Sequence, residues 1–390
     1  MTPDTLLIIS TSYPETDDGS EAAGSFVADL AEELARHLPV RVVAPGRLDG
    51  SVETSGDLTV RRFASTGLPL SLLSIRRPRH WSDIARTLWS LRKNALASND
   101  DGRVAHTLAL WALPSGWAAA ALQSRDSVPY SVWVLGSDIW TLGQVPVVRD
   151  VLKRVIQGAR HRYADGLQLA SDATRISSAP FHFLPSSRRL SCPGVRSPRT
   201  QPPYVLLFLG RWHPNKGIDL LLEALVELGD ETWKNIGELH IAGGGPLTDL
   251  VHEKVEGLRA AGRPMRLDGF LDRGAAAAAI AKADWVLIPS RIESIPVIFS
   301  DAMKLGRPVV ATPVGDLGEL VAAAPGCGIL AKEVSSAGIR AAIERAVSEG
   351  PTRYEQGVTR AGLGFELDGV AVRIARETMS HNCSRMTSDD

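Results

Sequence analysis

The apolar run Tyr204–Leu209 ends on Gly210, passes into a polar loop, and is followed by a helical pattern over Leu220–Leu228. Strand candidates at Glu238–Ala242, Met265–Gly269, Trp285–Pro289 and Pro308–Thr312 repeat that order, each followed by Gly or Pro punctuation and a helix. A strand that is apolar throughout is buried on both faces, and strands joined through helices pair in parallel. This half of the chain therefore reads as a doubly wound α/β domain. The same grammar opens the chain. Leu6–Ser10 reads as a strand, Phe26, Leu30, Leu34 and Leu38 keep helical spacing, and Val40–Val43 is the next strand. Thr59–Phe63, Val104–His106 and Tyr130–Leu135 are further strand candidates, with an Ala-rich helix over Trp111–Gln123.

Between the two series, residues 181–204 hold five prolines with several Ser and Arg residues, which is linker composition. A length of 390 residues suits two domains rather than one. The expected division is an N-terminal, acceptor-side Rossmann-like domain over 1–185, a linker over 186–203 and a C-terminal, donor-binding Rossmann-like domain over 204–364. A terminal helix at 365–380 and a disordered polar tail at 381–390 complete it.

Net charge is −1, so no global field recruits nucleic acid. Cys192, Cys327 and Cys383 form no CxxC or Cys/His cluster, which argues against structural zinc and a disulfide framework. No basic leader precedes an apolar stretch, and no apolar run approaches the roughly 18 residues of a membrane span. The expectation is a cytoplasmic protein.

Three segments carry candidate chemistry, each where a strand meets a helix. Gly210–Gly217 places Arg211 and Lys216 five positions apart on one loop. Arg offers a bidentate fork and Lys a point charge, both suited to a diphosphate, although a solvated loop with two surface cations has the same composition. Gly243, Gly244 and Gly245 can bring backbone N–H groups close to a ligand or form a plain turn. In Pro289–Gly306, Glu293 lies at a helix start, Pro296 suits its first turn, and Asp301 falls about five residues in, roughly 7–8 Å along the axis. Two carboxylates so spaced can hold hydroxyl groups at two ends of one elongated ligand, with the helix N-terminus between them. A helix with acidic residues satisfying its dipole is the plainer alternative.

Taken in order, these segments resemble the retaining glycosyltransferases of family four. The resemblance also covers Ser10–Val27, Gly136–Asp138 and Thr312–Val321. It implies the GT-B fold, two Rossmann-like domains facing each other across a cleft, in the glycogen-synthase and mannosyltransferase-like group. It also implies transfer of a hexose-type sugar from a nucleoside-diphosphate sugar to a glycan or lipid-linked acceptor, with retention, in polysaccharide or glycolipid biosynthesis. By matching position, Arg211 and Lys216 would bind the diphosphate, Glu293 the transferred sugar and Asp301 the ribose. Ser294, Ile295 and Val297 would line the donor site, and Gly24 would face the cleft. No metal and no other cofactor would be required.

The chain departs from the family's pattern in places. Asp301 replaces the usual Glu, and Leu135 stands where a histidine is common. His106, read as the end of a strand, is a candidate replacement, and Asp138 either contacts the sugar or caps a helix. A sugar-nucleotide-binding protein without catalysis, or an epimerase, are the alternatives. Finally, residues 75–93 combine Arg76, Arg77, Arg79, Arg86, Arg92 and Lys93 with Trp81, Ile84, Leu88, Trp89 and Leu91. That pattern suits an ordinary helix with a solvated outer face, or a peripheral contact with the inner face of an anionic membrane.

Overall fold

A computed structural model of the chain describes residues 4–14, 22–65, 77–190, 192, 195–323 and 325–379. The expected tail at 381–390 and residues 75 and 76 lie outside this set. The chain divides into Met1–Arg189 with Leu367–Asp390 as unit 1, and Leu190–Glu366 as unit 2.

Unit 1 is built on β1 (Thr5–Ile9), β2 (Val40–Gly46), β3 (Val52–Ser55), β4 (Leu58–Ala64), β5 (Val104–Leu110), β6 (Tyr130–Val134), β7 (Arg162–Ala164) and β8 (His182–Phe183). Their order in the sheet is β3-β4-β2-β1-β5-β6-β7-β8. All pairings are parallel except that of β3 with β4. Leu6 to Ile9 are wholly buried, as expected of a central strand covered on both faces. The helix Leu367–Met379 belongs to this unit. Its Leu367, Val370, Ala371 and Ile374 recur at helical spacing and pack with Val27, Leu30, Ala31 and Leu34 of the helix Ala22–Leu34.

Unit 2 contains β9 (Tyr204–Arg211), β10 (Ile236–Gly244), β11 (Met265–Asp268), β12 (Trp285–Ile288), β13 (Val309–Ala311) and β14 (Gly328–Leu330). The six strands lie in the order β11-β10-β9-β12-β13-β14, and every pairing is parallel. The chain runs outward from β9 through β10 to β11, then returns to the other side of β9 at β12. The topological switch point of this sheet therefore lies between β9 and β12, where the loops leaving adjacent strands diverge to opposite faces.

Three expectations are corrected. The strand read as Val104–His106 continues to Leu110, because β5 pairs with β1 and β6 along most of its length. The helix read from Trp111 begins at Ser115, since Trp111 has φ 66° and Pro114 precedes the helix. Pro296 stands just before the helix Val297–Lys304 rather than in its first turn. The stretch read as a linker is fastened at both ends. Arg189 donates to Asp29, Glu32 and Glu33, whereas Arg196 and the Arg199 backbone donate to the buried Asp284.

Candidate functional site

In unit 2, the loops leaving the carboxyl ends of β9, β10, β12 and β13 are drawn together by contacts that leave no room for a side chain. Gly217 has φ 66°, and a Cβ there would stand 1.8 Å from the Pro289 carbonyl oxygen. Gly243 pairs directly with Gly210, and a Cβ on it would lie 1.9 Å from the Gly210 oxygen. Gly315, at φ 51°, sits under Glu293, and a Cβ on it would lie 2.0 Å from the Glu293 carbonyl oxygen. Hydrogen bonds hold the same junctions. The Arg291 N–H donates to Asn215 O at 2.8 Å, Trp212 to Gly244 O at 2.9 Å, and Asp316 to Ser294 O at 3.3 Å. The glycines thus let four strand-end loops share one backbone-lined surface.

Lys216 and Glu293 meet on this surface as an ion pair, on loops leaving the two strands that flank the switch point. Ser290 Oγ donates to the same carboxylate oxygen, Oε1, at 3.1 Å. Glu293 Oε2 has no hydrogen-bond partner among the described residues. Arg211, at the end of β9, is exposed, and its guanidinium makes no hydrogen bond or ion pair with any described residue. The neighbouring Arg291 is spent otherwise. It grips Asp219 with two hydrogen bonds of 2.7 Å and donates to Pro214 O at 2.6 Å, clamping the β9 loop to the β12 loop. Burial pushes the Asp219 carboxyl up, but the bonds from Arg291 outweigh it and hold its pKa below the usual range.

The helix Val297–Lys304 starts beside Glu293 with no side-chain cap, so its first N–H groups and partial positive charge are uncommitted by side chains. Ser294 Oγ and Trp212 Nε1 are buried without partners. Each such orphan costs about 1–3 kcal/mol, which a ligand hydrogen bond can relieve. Ile295 is half-buried against the core, and Val297 is exposed at the helix start. Asp301 has no exposed surface, with Lys304 Nζ at 4.0 Å, so a ligand hydroxyl reaches it only if neighbouring groups move.

Sequence reasoning overlooked Phe270. It follows the carboxyl end of β11, is 76% exposed, and lies on Gly244 so closely that a Cβ there would be 2.6 Å from the ring. An exposed aromatic between polar loops carries no periodicity. Its only signal was the position just after a strand end.

In unit 1, His106 is not at a strand end. It is the third residue of β5, wholly buried, with Nε2 2.8 Å from Ser131 Oγ. Burial pushes its pKa down to about 3, so it is a neutral core residue remote from the carboxyl end of its strand. Gly24 lets the helix Ala22–Leu34 press against the Tyr13–Pro14 backbone, with 3.0 Å to a Cβ. The cap of the short helix at Ser137–Trp140 is Gly136, not Asp138. Asp138 is instead buried, its carboxylate accepting from Ala112 N at 2.8 Å and Leu135 N at 3.4 Å, so it ties the loop after β5 to the loop after β6.

Burial pushes the Asp138 pKa up to about 6 despite those bonds. A carboxyl raised on folding favours the fold while neutral. Its contribution is complete below the reference value of 3.8 and lost as pH rises through about 6. Asp138→Asn removes the titration, so its Tm relative to wild type should rise between about pH 4 and pH 6 and then level off. A difference constant across that range would show that Asp138 is not buried as described.

Residues 203–349 match the family described as "Glycosyl transferases group 1". An uncharacterized glycosyltransferase of Methanocaldococcus jannaschii is 28% identical over 117 residues, which is 30% of this chain and 30% of that protein. Alpha-D-kanosaminyltransferase of Streptomyces kanamyceticus is 30% identical over 121 residues, again 30% of each chain. A Mycobacterium tuberculosis glycogen synthase is 33% identical over 127 residues, 33% of this chain and 30% of the synthase. The matched stretch thus spans about 30% of the length of these curated relatives. Among solved structures, sucrose-phosphate synthase from Thermosynechococcus elongatus superposes with a TM-score of 0.71 at 19% identity, over 98% of this chain and 100% of that one. Anabaena HepE in complex with UDP-glucose gives 0.64 at 15% identity, over 97% and 100%. At such identities the likeness shows the fold, which is GT-B.

Proposed function

From the premise that this chain carries a glycosyltransferase group 1 domain within the GT-B fold, we propose that it is a retaining glycosyltransferase. The reading is transfer of a hexose-type sugar from a nucleoside-diphosphate sugar to a glycan or lipid-linked acceptor, without a metal. One observation carries it. The exposed Arg211, Lys216 and an uncapped helix start all lie on loops leaving β9 and β12, the strands at the switch point of unit 2.

Glu293 holds the Lys216 ammonium at the surface. A diphosphate brings more negative charge than one carboxylate and draws Lys216 and Arg211 onto itself, with the first N–H groups of the helix beneath it. Glu293 is then released to accept hydrogen bonds from the sugar, with Ser290 still fixing one oxygen. Cleavage of the anomeric C–O bond leaves an oxocarbenium-like sugar and negative charge on the departing diphosphate. Cations already in place stabilise that charge without reorganisation, which is the role a divalent ion plays elsewhere. Asp301 is assigned the ribose, which reaches it once the groups that cover it move aside.

The test is incubation with a panel of UDP-, GDP- and ADP-sugars and candidate acceptors, following nucleoside diphosphate release and the anomeric configuration of the product by NMR. Release that depends on an acceptor, with retention, is expected. Binding with no release under any acceptor would sink the transferase reading, and conversion of the donor without acceptor would indicate an epimerase.

Phe270 is assigned to the nucleobase, because its open ring face stands at the edge of the glycine loop that would flank the nucleoside. Stacking on an aromatic contributes about 1–3 kcal/mol per base. Phe270→Ala should therefore raise donor KM about tenfold and leave kcat nearly unchanged, whereas Phe270→Trp should preserve KM. Equal donor KM in wild type and Phe270→Ala would remove the assignment.

A further inference from the structure

The helix Trp81–Ala97 leaves its two largest apolar residues on its outer face. Its buried residues are Thr87, Ser90, Leu91, Asn94 and Ala95, mostly polar or small. Two of them serve one carboxylate. Asp49 accepts from Ser90 Oγ at 2.5 Å and Asn94 Nδ2 at 2.7 Å, with Lys93 Nζ at 2.9 Å, and its pKa lies below the usual range even though burial opposes this. The helix is therefore held to its unit by this polar network together with Leu91 and Ala95, which are buried in the core, while its two indoles are left outside. Trp81 is 59% and Trp89 65% exposed.

Those tryptophans lie at i and i+8 with Ala85, Leu88 and Arg92 between and beyond them at spacings of three and four, which is a single stripe on a helix. Cations border the stripe. Residues 77–97 hold Arg77, Arg79, Arg86, Arg92 and Lys93 against one carboxylate, Asp83. Lys93 lies over the Trp89 ring at 5.4 Å, and a groove of about 380 Å³ beside that ring is lined by Arg92, Lys93, Leu96, Ala97 and Arg125, with Asp100 as its one acid. The Arg92 guanidinium makes no hydrogen bond or ion pair with any described residue.

We infer that this outer face is a docking surface for an anionic lipid bilayer. Trp81 and Trp89 enter the headgroup region, and Arg86, Arg92 and Lys93 pair with lipid phosphates beside them. Indole rings favour that boundary because one edge is apolar and the N–H needs a wet partner. Each cation near an anionic surface adds attraction that salt screens. An amphipathic helix lying in the interface needs no span, and none of the described helices is long and apolar enough to cross a membrane. The inference does not depend on the transferase reading, since no donor or acceptor enters it.

The test is flotation of the full chain with vesicles of phosphatidylcholine alone and of phosphatidylcholine with about one third phosphatidylglycerol. Wild type should float with the anionic vesicles only, and 0.5 M salt should weaken this at least tenfold on the partition coefficient. Trp81→Ala with Trp89→Ala, and separately Arg86→Glu with Arg92→Glu, should each lower partition at least tenfold while circular dichroism and Tm stay at wild-type values. Brominated lipid should quench wild-type tryptophan fluorescence more than that of the double tryptophan variant. Wild type remaining in solution with anionic vesicles, or floating undiminished in the folded double variants, overturns the inference. Dimerisation through this face without vesicle binding overturns it equally and gives the tryptophans a protein partner.

Discussion

Glu293→Ala and Lys216→Ala are each expected to reduce turnover at least about 100-fold, a loss of roughly 3 kcal/mol of transition-state stabilisation. The two residues come from loops 77 positions apart and form one ion pair, so neither acts alone. Removing Lys216 takes a cation from the departing diphosphate and leaves Glu293 with only the Ser290 hydroxyl. Removing Glu293 takes away the sugar contact and frees Lys216 to leave the site. Because both act on one arrangement, the double variant should lose far less than the product of the single effects. Glu293→Gln separates charge from shape, since it keeps the hydrogen-bonding reach but not the anion. Rates are to be measured at saturating donor with folded protein verified by Tm. Wild-type turnover in either alanine variant would remove this site from the reaction.

Gly217→Ala should have the largest effect on stability, and it acts through backbone alone. At φ 66° an alanine is strained by about 1–2 kcal/mol, and its Cβ would stand 1.8 Å from a backbone oxygen of Pro289, which no side-chain rotation relieves. The β9 and β12 loops must part, breaking the bonds from Arg291 N to Asn215 O and from Arg291 to Asp219. We expect a loss of about 3–5 kcal/mol, in the range of backbone clashes and broken networks. For a unit of this size that lowers Tm by roughly 6–20 °C. Gly257→Ala is the control. It lies in the helix Thr248–Ala260 with no atom within 4 Å of a Cβ, so alanine should stabilise by about 0.5–1 kcal/mol. If Gly217→Ala melts like wild type, the tight junction of the two loops is not as described.

The two predictions differ in how far the sequence reached toward them. Lys216 and Glu293 were visible as a charged loop after one strand and an acid at a helix start, and their resemblance to a known pattern assigned both to a donor. That they would bond to each other was not visible, nor that Arg291 would be consumed by Asp219, because each pair joins loops more than 70 residues apart. The glycines were legible as punctuation, but which of them admits no Cβ depends on the opposing carbonyl. His106 was misplaced for the same kind of reason. A strand's length follows from its neighbours, and pairing with β1 and β6 carries β5 on to Leu110.

By itself, the sequence determined the alternation of strand and helix, the two α/β halves, the candidate cations and a terminal helix. These are written in periodicity and in local backbone preference, which each segment holds without its neighbours. The tertiary structure alone decided the short strands β3, β7, β8 and β14, whose two to four residues are too few to show a period. It also decided the strand order that puts the switch point between β9 and β12, and the outward turn of Trp81 and Trp89. Those outcomes depend on which surfaces meet, and burial is a property of the meeting rather than of the segment.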